Sequence, residues 1–197
     1  MNTATDLILA GALTAVWLTA GLLVETLPTA RTARELRRRT GLLSMLVGAG
    51  AAVFVAVPVI TGLLPGASAA PAAALLPAVP AMIVLTVTRR RLTQIRHGAG
   101  AFATAPLAPL PPGLRAAAAH PLIAVPLQVT GLATLVALPI AAGVVTVPDW
   151  DMAGIAISLV GVAVVAATVR AGVRHSRLSV PAVVPRARVP RELTRVV

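Results

Sequence analysis

Long apolar runs separated by short polar or arginine-bearing stretches make up most of the chain. Five can be drawn: Leu7–Val24, Gly41–Leu64, Ala69–Thr88, Pro121–Val147 and Met152–Val169. Crossing the hydrocarbon core as a helix takes about 20 mostly apolar residues, and each run meets or approaches that length. None contains an arginine, so none carries the large cost of a charge at the bilayer centre. Lipid offers the backbone no hydrogen-bond partner, so each run must satisfy its own amides as a helix. The pattern predicts an all-α integral membrane protein, a five-transmembrane-helix bundle.

The connections divide into two kinds. Pro65-Gly66-Ala67-Ser68 and Pro148-Asp149-Trp150-Asp151 read as tight turns, so spans two and three form one helical hairpin and spans four and five another. An offset of 81 residues pairs Pro58 with Pro139, Gly50 with Gly131, Gly62 with Gly143, Arg89 with Arg170 and Arg96 with Arg177. These matches make the two hairpins candidate copies in a parallel repeat. Gly98 to His120 holds Pro106, Pro109, Pro111 and Pro112, which exclude one continuous helix. The membrane domain is expected over 1–178. Residues 179–197, rich in Arg and Pro, are expected to be a disordered tail.

All 17 basic residues are arginine, and they fall only between spans one and two, between spans three and four, and after span five. The alternate segments carry Asp6, Asp149 and Asp151 instead. The positive-inside rule therefore predicts the N-terminus outside and the C-terminus in the cytoplasm. A cleaved signal would need positive charge before its apolar core, whereas here the arginines follow it, so the first span is expected to be retained. Trp150 stands where an amphipathic ring would lie at headgroup level.

Composition sharpens this picture mainly by exclusion. Hydrophobic residues make up 57% and charged residues 12%, with a mean hydropathy of +0.90, too apolar for a soluble fold. The net charge of +11 follows from topology and needs no nucleic-acid partner. Cysteine is absent, which removes disulfides, thiolate nucleophiles and Cys-ligated metals. No Tyr and only two each of Phe and Trp leave little for stacking platforms or aromatic cages. The all-arginine, Ala- and Pro-rich usage points to a GC-rich bacterial genome and so to the cell membrane.

Few residues carry chemistry. Glu25 is the sole acid near a membrane interior, and Gln128 is the other strongly polar candidate there, suited to a hydrogen bond across helices. Glu25 is expected to form an interfacial ion pair with an arginine. Arg37, Arg38, Arg39, Arg89, Arg90 and Arg91 are candidates for anionic-lipid or partner contact. His97, His120 and His175 lie at or beyond helix ends without paired-ligand spacing; His97, His120 and Glu35 are a group that folding would have to assemble. No catalytic residue, cofactor or metal site is expected. Small residues at four-residue spacing mark packing faces: Gly48-Ala52-Ala56, Ala133-Ala137-Ala141 and Gly154-Ser158. Prolines 58, 77, 80, 126 and 139 lie within spans and release carbonyls that neighbours must satisfy.

Three functions are compatible with these residues. The first is a non-enzymatic scaffold, accessory or partner-binding component, as a homo-oligomer or with another membrane protein. The second is a transporter or channel component acting as an oligomer, which would place Glu25 or Gln128 on a water-filled cavity. The third is a membrane enzyme or redox carrier for a lipid-soluble substrate, built on clustered polar groups at the inner surface. The topology is testable at once: reporter fusions at Ala67 and Trp150 are expected to be exported, and those at Gly100 and the C-terminus retained. An exported reporter at either of the last two would overturn the orientation.

Overall fold

The computed structural model describes residues 3–64, 70–102, 104–144 and 150–183. Its helices are α1 (Thr3–Val24), α2 (Ala33–Leu63), α3 (Ala70–Ile83), α4 (Arg89–Gly100), α5 (Pro112–Ala118), α6 (Pro121–Ala141) and α7 (Trp150–Val183). A 3₁₀ turn, Leu27–Thr29, follows α1, and a π-helical turn, Val84–Thr88, joins α3 to α4. No strand occurs among the described residues; there is one isolated antiparallel bridge, between Thr32 and Pro109. The chain is an all-helical membrane bundle.

Four helical segments among the described residues are long and apolar enough to cross a bilayer: Ala4–Thr29, Ala33–Leu63, Ala73–Gly100 and Pro112–Ala141. The fifth expected span, Met152–Val169, lies within α7. Large apolar side chains cover the outside, with Ile8 70%, Met45 75% and Val162 69% exposed. A water-soluble protein rarely tolerates so continuous an apolar surface; in lipid it is the solvated face. The tight turns expected at 65–68 and 148–151 fall in residues 65–69 and 145–149, outside the described residues, except that Trp150 and Asp151 open α7. Helix α7 runs through Ser179 to Val183, so helix reaches past the expected domain boundary; residues 184–197 also lie outside the description.

The core forms around α1, which packs on α6, α2 and α3, while α6 also receives α3 and α7. Trp17 is completely buried on α1. A Cβ added at Gly50 of α2 would lie 2.7 Å from the Trp17 ring, and one at Gly131 of α6 would lie 3.0 Å from the Trp17 carbonyl oxygen. On α1, Gly21 meets the α6 backbone reciprocally: a Cβ added there would lie 3.3 Å from the Leu127 oxygen. Lipid supplies no hydrophobic drive between helices, so close backbone approach at small residues is what holds them. Both members of the offset pair thus meet α1 at Trp17, Gly50 at its ring and Gly131 at its backbone. Their companions differ: Gly62 sits inside α2, whereas Gly143 has a φ of 70° just beyond α6.

The small-residue faces fare differently from one another. Ala133, Ala137 and Ala141 are buried, Ala137 and Ala141 clustering with Ala10 and Ala73. Gly48 and Ala52 are exposed, which corrects the expectation that their face enters the core. Helix α2 instead buries Leu36, Leu43, Val47, Gly50 and Val57. Spacing alone does not say which side of an apolar helix meets protein rather than lipid. The side-chain surroundings of Gly154 and Ser158 lie outside the description.

Buried hydroxyls complete the packing. Pro126 has no N–H for the Leu122 carbonyl four residues back, and the Thr88 hydroxyl donates to that carbonyl at 2.9 Å. Thr14 donates to the Thr134 carbonyl at 3.0 Å, joining α1 to α6. Two glycines of α2 test the packing. Gly50→Ala is expected to lose about 1–3 kcal/mol of stability through overlap with Trp17, while Gly48→Ala, with nothing within 4 Å, should be neutral or stabilising. Ala137→Leu should destabilise and Ala52→Leu should not. Melting temperatures in one detergent would check all four; equal behaviour of the two glycine variants would refute the arrangement around Trp17.

Candidate functional site

Glu25 follows the last residue of α1, and Gln128 stands seven residues into α6, about 10 Å along the helix axis. The structure brings them together. Gln128 Nε2 donates to Glu25 Oε1 at 2.8 Å, and Arg170 of α7 donates to Glu25 Oε2 at 2.7 Å. Each carboxylate oxygen therefore has its own donor, one neutral and one cationic. Both side chains of the ion pair remain partly exposed, 31% for Glu25 and 68% for Arg170. The three groups sit on a lateral groove of about 290 Å³ between α1 and α7, floored by Gln128 and Gly131 of α6. Leu22, 72% exposed, stands at its edge.

Arg31 is the nearest arginine to Glu25 in sequence, yet the partner is Arg170, 145 residues away. One signal pointed to it: Arg170 is the first charge after span five, as Glu25 is the first after span one. With the arginine-bearing ends together, the two fall at the same depth. Those ends do meet. The Arg34 amide donates to the Pro106 carbonyl at 3.0 Å, Leu110 N–H donates to the Arg31 carbonyl at 3.0 Å, and His175 Nδ1 lies 3.2 Å from the Ala116 carbonyl.

The six candidate lipid-contact arginines separate. Arg39 is drawn inward: it pairs with Glu35, bonds the Thr26 carbonyl and donates to Thr29 Oγ1 at 2.8 Å, tying the 3₁₀ turn to α2. Glu35 in turn accepts from the Arg31 amide at 2.9 Å, while its own amide donates to Thr32 Oγ1 at 3.2 Å, closing the α2 N-terminus. Arg37, Arg38, Arg89 and Arg90 are exposed, and Arg91 is half-buried.

The histidines and Glu35 do not assemble as a set. His120 caps α6, its Nδ1 accepting from the Leu122 amide at 3.2 Å, and its ring lies 5.0 Å from that of His175. His97 is exposed on α4, and Glu35 is engaged by Arg39. Among the described residues no group of three or more His, Asp or Glu side chains is placed to hold a metal ion. The polar groups that the structure does bring together are a neutralised carboxylate in a groove and an arginine-rich end.

Among the described residues the extensive contacts of α7 are to α5 and α6, and the Arg170–Glu25 pair ties it to the end of α1. Arg170→Gln is expected to speed amide exchange around residues 166–174 while leaving α1–α6 protected. The stability lost should be small, about 1 kcal/mol or less for so exposed a pair. Hydrogen exchange in detergent would check it, and uniform loss of protection across the bundle would refute it. No family model, curated protein or solved structure matches the chain, so its function is argued from this geometry alone.

Proposed function

We propose that this chain is a small non-enzymatic component of the cell membrane, an accessory or partner-binding protein, with its arginine-rich end in the cytoplasm. The observation that carries the reading is the double occupancy of the Glu25 carboxylate by Gln128 and Arg170. A carboxylate that relays protons or carries a solute must exchange its partners during turnover. Here both partners hold helices together, so these polar groups serve the architecture. The orientation rests on the positive-inside rule, and the exposed arginines are then set to attract anionic headgroups at about 1 kcal/mol each.

A second reading, a transport component, is favoured by one feature: Glu25 and Gln128 both line the groove. Two measurements separate the readings. Extracted from its native membrane in mild detergent, the protein is expected to elute with a stoichiometric second polypeptide or as a homo-oligomer. In proteoliposomes, it should dissipate neither a proton nor an ion gradient faster than empty vesicles. Flux by the wild type that Glu25→Gln abolishes would overturn the accessory reading in favour of transport.

A further inference from the structure

Four arginines line one concavity at the arginine-rich end. Arg34, Arg37 and Arg38 come from one face of α2, at i, i+3 and i+4, and Arg96 comes from α4. The cleft measures about 260 Å³ and is walled by Phe102 and Pro106. Its shape is held by bonds independent of those side chains. The Arg34 amide donates to the Pro106 carbonyl at 3.0 Å, and Thr32 and Pro109 form the isolated bridge, pinning the connection after α4 onto the start of α2. Leu36 of α2 and Leu92, Ile95 and Ala99 of α4 are buried in the main core and hold the two helices together.

Charge makes this cleft unusual. All four arginines are exposed, and among the described residues no carboxylate lines it. Glu35, the acid within the same turn of α2, is turned to Arg39 and the Arg31 amide. Like charges converging on one concavity repel, and a polyanion held between them turns that repulsion into attraction. Guanidinium forks match phosphate oxygens in pairs, which favours phosphate over a point-like anion. The volume falls just below the roughly 300–1,000 Å³ of pockets that enclose whole small molecules, so it suits a head group rather than a nucleotide.

We propose that Arg34, Arg37, Arg38 and Arg96 form a binding site for a phosphomonoester group. A phosphomonoester carries up to two negative charges and three free oxygens, so it can engage more of the four guanidiniums than a phosphodiester can. Two sources share this chemistry, the headgroup of phosphatidic acid and a soluble phosphomonoester. The proposal deepens the headgroup attraction of the proposed function by replacing a diffuse field with a discrete site.

The test uses the full chain in detergent, with binding read by native mass spectrometry and by thermal shift. The probes are phosphatidic acid, phosphatidylglycerol and glycerol 3-phosphate. Wild type is expected to bind phosphatidic acid more tightly than phosphatidylglycerol. The Arg34→Gln/Arg96→Gln variant should bind phosphatidic acid roughly tenfold or more weakly. Arg89→Gln/Arg90→Gln, which removes equal charge at the same end outside the cleft, should weaken binding of both anionic lipids alike and keep the preference for phosphatidic acid. Competition by glycerol 3-phosphate would identify the soluble source; binding of the lipid without competition would identify the membrane. Equal weakening by the two double variants would overturn the discrete site and leave the diffuse headgroup attraction standing. Absence of binding to both anionic lipids and to glycerol 3-phosphate would overturn both. Unchanged melting temperatures without ligand would show that each variant folds.

Discussion

Trp17 enters the middle of the bundle with glycines on two sides, Gly50 from α2 and Gly131 from α6, and the other helices are arranged around that insertion. The constraint comes from the solvent. Lipid tails are as apolar as leucine, so burying apolar surface between helices gains little, and contact area at close range must supply the attraction. Gly50 lets α2 approach the fully buried indole, and Gly131 lets α6 approach the α1 backbone at the same residue. The reciprocal approach of Gly21 to the α6 backbone extends the same seam by one turn along α1. Helices α1, α2 and α6 are thereby fixed relative to one another, and α3 fills the remaining side through Ala73 against Ala10, Ala137 and Ala141.

Polar contacts then act where close packing leaves gaps. Thr88 lies in the π-helical turn, and its hydroxyl reaches the carbonyl that Pro126 leaves without an amide donor. The irregular turn of one helix thus complements the proline of another. Glu25 plays a comparable part at the end of α1, gathering α6 through Gln128 and α7 through Arg170. Helix α7 is the peripheral member: beyond Val169 it continues for about 20 Å, bearing Arg170, Arg174 and Arg177 past the apolar span.

The arginine-rich end is itself heterogeneous. Arg39 and Glu35 are structural, closing the connection between α1 and α2, whereas Arg34, Arg37, Arg38 and Arg96 are left facing a shared cleft. Two concavities with different physics result. The groove beside Glu25 is mostly apolar with a neutralised charge pair, and the cleft at the end of α4 is cationic. A membrane component of this form can hold its helices with the first and meet a charged group with the second.

Local chemistry determined much of this protein. Apolar run length set the helices, because a backbone in lipid has only itself to bond, and the arginine pattern divided the chain into alternating segments for the same electrostatic reason. Glu25 and Gln128 stood out because the apolar runs hold little else strongly polar, whereas the burial of Asp6, just before the first run, was not legible there. Which partners they take could not be read, since Arg170 is 145 residues from Glu25 and pairing at that distance depends on helix order around α1. The same holds for the small residues. Glycines and alanines recur on every side of these helices, and only the position of Trp17 decided that Gly50 faces protein while Gly48 faces lipid. The cleft arginines were visible as charges, but their convergence required α4 to lie against α2. Residues in an apolar helix lack the polar–apolar contrast that marks a buried face in water, so tertiary packing alone selects that face.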